Sequence, residues 1–229
     1  MLSIIIPVHN EEQFVEKILE KVFSMPLKEK EVIVVNDGSS DKTPEILQKL
    51  SKMNSFKLLS HKKNLGKGAA IKTALSAVTG NLVIIQDADL EYNPDDIPTL
   101  LAQIDNTVAA VYGKRPVLAR PDMNYHYALG AKILTWTIDT LYGTDLADVY
   151  TGYKLFNLDN LGMGFLKELE STGFEFEAEV TCKILSRGDV IVEVPIQYIP
   201  RKKSQGKHIR FTDAIKGVFT ILKCRLNSL

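Results

Sequence analysis

Apolar runs of four to six residues alternate with longer stretches of helical periodicity through the first hundred positions. Residues 3–8, 31–36, 56–60 and 81–86 are short, β-rich runs that read as strands. Between them, Val15, Ile18, Leu19, Val22 and Phe23 recur at helical spacing over 12–24. A second helix runs from a cap at Asp41 through Ile46, Leu47 and Leu50, and a third, Ala-rich one covers 67–78. Such βαβα alternation predicts a mainly parallel sheet with helices on both faces. Further on, 108–111 reads as a strand, 128–142 as an apolar helix, and 211–226 as an amphipathic helix with Phe211, Ile215, Val218, Phe219, Leu222 and Leu226 on one side.

In a parallel sheet the loops that follow the strands open on one edge, and ligands sit there. Each predicted strand end is polar: Pro7, Val8, His9, Asn10 and Glu11 follow the first, Asn36, Asp37 and Gly38 the second, and Asn64 to Gly68 the third. The buried run Val83, Ile84, Ile85 leads directly into Asp87, Asp89 and Glu91. Three acids within five residues repel one another, and a hard cation such as Mg²⁺ or Mn²⁺, which takes carboxylate and phosphate oxygens, would relieve the repulsion. An acidic turn capping the next helix explains the same residues. Gly66 and Gly68 suit an anion at a helix start, with Lys63 and Lys67 adding charge, or a tight turn. Asp37 suits a base or ribose contact, or ordinary turn chemistry.

Charge balance narrows the partners. The 229 residues hold 28 Lys+Arg against 28 Asp+Glu, so no global field favours nucleic acid. The region 201–229 is an exception, with eight basic residues against one acid. Two cysteines 42 positions apart suit reduced thiols in a cytosol. The longest stretch without a charged residue, 73–86, is too short for a bilayer span of about 18 residues, which predicts a soluble or peripheral protein.

Taken together and in order, Pro7 to Glu11, Val35 to Asp41, Asn64 to Gly68 and Asp87 to Glu91 resemble the motifs of glycosyltransferase family 2. Thr151 to Phe156, Gly173 to Glu179, Arg187 with Gly188, and Val194 to Tyr198 are similar to the branch that contains dolichol-phosphate mannose synthase and bacterial polyprenyl-phosphate transferases. The resemblance implies an α/β GT-A (Rossmann-like) fold, a mixed but mainly parallel sheet. It divides the chain into a transferase domain over 1–200, with a nucleotide half near 1–113 and an acceptor half near 114–200, and a basic loop with an amphipathic helix over 201–229.

It also implies an inverting transfer of a hexose from a GDP- or UDP-linked sugar to a polyprenyl phosphate. Pro7, Val8, His9, Glu11, Asp37, Lys67, Asp87, Ala88 and Asp89 would contact the nucleotide. Asp87, Asp89 and Glu91 would hold Mg²⁺ or Mn²⁺, with Asp89, Glu177 and Arg115 catalytic. Arg115, Arg120, Arg201 and Lys207 would bind the acceptor phosphate. His9 stands where Tyr is frequent, and Asn36 replaces the first acid of a frequent Asp-Asp-Gly.

The acceptor decides whether a base is needed. A sugar hydroxyl loses its proton during attack, whereas a monophosphate with a second pKa near 6 is already an oxyanion. Glu177 falls where hydroxyl-accepting relatives carry their base, so one alternative is a saccharide acceptor with Glu177 as base. Another is the exposed acidic start of a helix, formed by Glu175, Glu177 and Glu179. A non-catalytic nucleotide-sugar-binding protein is a third possibility of a different class. The basic amphipathic helix predicts peripheral contact with the cytosolic face of a membrane.

Overall fold

A computed structural model describes residues 1–116, 125–201 and 211–227. Its strands are β1 (Leu2–Val8), β2 (Lys30–Asn36), β3 (Lys57–Ser60), β4 (Leu82–Ile85), β5 (Val108–Lys114), β6 (Lys154–Asn157) and β7 (Val190–Pro195). They form one seven-stranded sheet in the order β3-β2-β1-β4-β6-β5-β7. Every pairing is parallel except those of β6, which runs against both β4 and β5.

Side chains alternate across the sheet as the two-residue period of a strand demands. Ile4 and Ile6 of β1 face a core shared with helices α1 (Val15–Ser24), α2 (Thr43–Met53) and α4 (Ile97–Leu101). Ile5, Ile33, Val35, Val83 and Ile85 face the opposite core, which α3 (Lys67–Leu75), α6 (Leu158–Leu161) and α7 (Phe176–Ser186) cover. Both faces are therefore dry, and the strands are correspondingly free of alternation in polarity.

A smaller third core joins α5 (Tyr125–Tyr142), α7 and α8 (Phe211–Asn227) through Leu134, Ile138, Val149, Ala178, Cys182 and Ile221. It leaves Ile133 and Trp136 of α5, and Ile215, Phe219, Leu222 and Leu226 of α8, exposed.

Element ends depart from the periodicity where side chains take over the backbone. α1 begins three residues later than the apolar spacing suggests. Residues 10–12 are instead bound into a loop: Asn10 has φ 55°, Glu11 N donates to Thr43 Oγ1 at 2.9 Å, and Glu12 N donates to Asp41 at 3.2 Å. Asp41 lies two residues before the start of α2, where its carboxylate accepts from Thr43 N at 2.9 Å.

Candidate active site

The carboxyl ends of β1, β2 and β4 open on one edge, and the loops beyond them carry the polar residues the sequence singles out. Val8 and Ala88 are core residues that offer only backbone to this edge, while Pro7 and His9 are half-buried. His9 Nδ1 donates to the Asp37 carbonyl at 2.9 Å. Asp37 itself is 3% exposed. Its carboxylate accepts from Leu65 N at 2.9 Å and Gly66 N at 2.8 Å, and pairs with His61 Nδ1 at 2.7 Å. Asp37 thus ties the loop after β3 to β2, and a base contact as its main task is not the arrangement found.

The two glycines of that loop are also spent internally. Gly66 has φ +98°, and a Cβ on Gly68 would lie 2.7 Å from the Ser171 carbonyl. The missing side chains admit the 171–173 backbone, where Thr172 O accepts from Ala69 N at 3.1 Å. Close approach is required as expected, but of protein rather than of an anion.

Beyond β4 the acids separate. Lys67, at the start of α3, pairs with Asp87 at 2.9 Å and with Glu177 at 3.1 Å. Glu177, buried in the first turn of α7, pairs in turn with Lys154 of β6 at 2.6 Å. Lys154 is 0% exposed, and the carbonyls of Val149 and Thr151 complete its shell. Burial alone would raise the Glu177 carboxyl, but the Lys154 and Lys67 ammoniums hold it below the ordinary carboxylate range. An exposed helix start does not describe it. Gly152 leaves the room: a Cβ there would run into Asp87 and lie 3.0 Å from Lys67 Nζ.

Leu90, at φ 60°, turns the chain so that Asp89 and Glu91 address a different partner from Asp87. The segment 196–201 crosses the edge as a strap. Ile199 N donates to Glu91 O at 2.9 Å, Tyr198 Oη to a Glu91 carboxylate oxygen at 2.7 Å, and Arg201 N to the other at 2.7 Å. The Arg201 guanidinium then bridges Glu11 at 2.9 Å and Asp89 at 2.9 Å. Burial, with the charges of Asp87 and Glu91, raises Asp89 to about 6 against the pull of Arg201. Burial also raises Glu11 to about 7.

Asp87, Asp89 and Glu91 therefore do not converge, and among the described residues no three metal-type ligands surround one point. Glu91 anchors the strap instead of facing an ion. The donor set nevertheless fits a hard divalent cation. Asp87 and Asp89 are neighbouring carboxylates at the strand end; burial, and after it the neighbouring carboxylates, push Asp89 and Glu11 up, and a bound cation would favour their ionised forms.

Arg115 is engaged within the protein. Its guanidinium makes a two-pronged pair with Asp148, at 2.6 and 2.8 Å, and lies over the Tyr198 ring. So placed, it braces the strap against Asp148. Arg120 and Lys207 lie outside the described residues. Periodicity overlooks Asp148, and motif matching includes Gly152 and Lys154 in Thr151 to Phe156 without giving either a role. Lys154 carried a signal: a lysine opening a run, Leu155 and Phe156, that is otherwise apolar must find a buried counter-charge.

A mainly parallel sheet with one reversed strand, an acid-lined edge at the carboxyl ends and cations facing it defines a GT-A glycosyltransferase. Residues 3–169 match the model of glycosyl transferase family 2, and the chain belongs to that family. It is 28% identical, over 97% of its length and 72% of the relative's, to a dolichyl-phosphate beta-glucosyltransferase of Trichomonas vaginalis. It is 27% identical, over 92% of its length and 52% of the relative's, to the low-salt glycan biosynthesis hexosyltransferase Agl6 of Haloferax volcanii. Among solved structures it resembles glucosyl-3-phosphoglycerate synthase from Mycobacterium tuberculosis in complex with Mn²⁺, UDP-glucose and phosphoglyceric acid. That likeness has a TM-score of 0.75 at 20% identity, over 98% of this chain and 79% of the other.

Proposed function

We propose that the chain transfers a hexose from a GDP- or UDP-linked sugar to a polyprenyl phosphate, with inversion and with Mg²⁺ or Mn²⁺ as cofactor. The observation that carries this reading is the state of Glu177. A hydroxyl acceptor needs a base, and the carboxylate in that position is buried with each oxygen against an ammonium, which lowers its affinity for a proton. A phosphate monoester is mostly ionised at neutral pH and needs none. The similarity to a dolichyl-phosphate beta-glucosyltransferase supports the same acceptor class.

In this reading an acceptor phosphate oxygen attacks the anomeric carbon while the bond to the nucleoside diphosphate breaks, and the electron pair stays on the departing β-phosphate. Lys67, at the start of α3 beside Asp87, supplies positive charge where that oxygen develops its own. Asp87 and Asp89 would hold the divalent ion, whose Lewis acidity stabilises the leaving diphosphate. Arg201 already lies between Glu11 and Asp89, within reach of a diphosphate at that edge. Excluding water at this edge protects the donor from hydrolysis.

Among the described residues no helix is long and apolar enough to cross a membrane. The exposed apolar stripes of α5 and α8, fringed by Lys132 and Lys216, support docking on a membrane face, where a lipid acceptor resides. The test is a transfer assay with UDP- and GDP-sugars, Mn²⁺, and a short polyprenyl phosphate, its parent alcohol or a free saccharide as acceptor. Product with the phosphate alone is the expected result. Equal transfer to either hydroxyl acceptor would sink the assignment.

A further inference from the structure

Four charges of alternating sign run from the interior to the edge of the site. Lys154 is fully buried, Glu177 lies 2.6 Å from it, Lys67 lies 3.1 Å from Glu177, and Asp87 lies 2.9 Å from Lys67. The inner end is fixed. The Lys154 ammonium donates to the carbonyls of Val149 and Thr151, lies 2.6 Å from Glu177 Oε2 as an ion pair, and packs on the Tyr112 ring. Its acceptors come from the 149–151 loop and α7, so it cannot move without both. The outer end is adjustable, because Lys67 and Asp87 keep some contact with solvent.

We propose that Lys154 is a positioning residue for the transfer reaction, acting through Glu177 on Lys67. By engaging one carboxylate oxygen, Lys154 leaves Glu177 only the other to offer Lys67. That keeps the Lys67 ammonium shared with Asp87 at the edge rather than drawn inward as the sole counter-ion of a buried carboxylate. Gly152 serves the same end, since any side chain there would wedge into the Lys67–Asp87 pair. This inference rests on the transferase reading for the task of Lys67, but not on the identity of the acceptor.

The experiment compares Lys154→Met, Glu177→Gln and the double variant. It measures Tm, nucleoside diphosphate affinity by calorimetry, polyprenyl-phosphate transfer, and Mn²⁺-dependent hydrolysis of the sugar nucleotide by water, which needs no acceptor. Glu177→Gln strands the buried Lys154 ammonium, and Lys154→Met leaves the buried Glu177 with Lys67 as its one counter-ion, so each should lower Tm. The double change removes both charges and should restore Tm to within a few degrees. If Lys154 positions Lys67, kcat for transfer and for hydrolysis, assayed well below Tm, falls at least tenfold in Lys154→Met and recovers in the double variant, where no buried carboxylate draws Lys67 from Asp87, while nucleotide affinity changes less than threefold.

Wild-type kcat in folded Lys154→Met would reduce the pair to a structural prop and overturn the proposal, as would a loss of kcat in the double variant equal to that in Lys154→Met. Should the methionine variant not fold, Lys154→Gln with Glu177→Gln keeps hydrogen-bonding groups without charge and is judged by the same criteria. A wild-type enzyme that hydrolyses donor but ignores polyprenyl phosphate would refute the acceptor assignment alone, and the hydrolysis rates would still decide the role of Lys154.

Discussion

Without a bound cation, the protein should lose stability as pH rises from 5 to 8, and a divalent ion should restore it mainly at the upper end. The Glu11 carboxyl is displaced from 4.5 to about 7 and that of Asp89 from 3.8 to about 6. Both folded values exceed the unfolded ones. Their contribution is thus fully present below about pH 4 and is lost as pH climbs through 6 to 7, where each must ionise beside other carboxylates. One pKa step is worth about 1.36 kcal/mol, which bounds each group near 3 kcal/mol. The shared Arg201 and partial solvent contact reduce the joint effect to roughly 1–3 kcal/mol. For a chain of this size that is a fall in Tm of about 2–12 °C.

Mn²⁺ at a hundred times its Kd adds about 2.7 kcal/mol at pH 8, where the carboxylates are ionised. At pH 5 it competes with protons and adds less. Differential scanning fluorimetry over pH 5–8, with and without Mn²⁺ or Mg²⁺, measures both trends. Asp89→Asn should flatten the pH slope and remove the metal-dependent gain. Equal metal stabilisation at pH 5 and 8, or an undiminished gain in Asp89→Asn, would refute the account of the acidic edge.

Gly152→Ala should cut turnover more than tenfold while the fold persists, because the new methyl lies 3.0 Å from Lys67 Nζ and crowds Asp87; wild-type kcat in a folded variant would exclude that crowding. Arg115→Met removes the partner of the buried Asp148 and should cost about 3–5 kcal/mol, seen as a Tm drop of roughly 6–20 °C, with little change in the KM for acceptor. A raised acceptor KM at unchanged Tm would return Arg115 to phosphate binding. Trp136 is 67% exposed and Phe219 71% exposed, so Trp136→Glu with Phe219→Glu should abolish co-sedimentation with anionic phospholipid vesicles; unchanged sedimentation would remove α5 and α8 as the docking face.

Most strands and the βα order were legible because burial on both sheet faces writes itself as unbroken apolar runs such as Ile4, Ile5 and Ile6. The reversed strand β6 carries no such mark, since Lys154 opens it and only the fold reveals that its charge is matched by Glu177. Residue types at the site were legible, but their partners were not. Arg115 and Arg201 are both arginines near the same edge. One is committed to Asp148 and the other joins Glu11 to Asp89, a difference set by tertiary distance alone. Glu91 likewise stands in an acidic motif that suggests a cation, while the phenol of Tyr198, 107 positions away, takes one of its oxygens.

The ion pair between Glu11 and Arg201 spans 190 positions, which makes the finished edge one of the latest things a growing polypeptide can assemble. A nascent chain halted after β5 would possess Lys67 and Asp87 yet neither the strap nor Lys154 and Glu177 behind them. Incomplete products of translation should therefore be unable to consume sugar nucleotide in the cell.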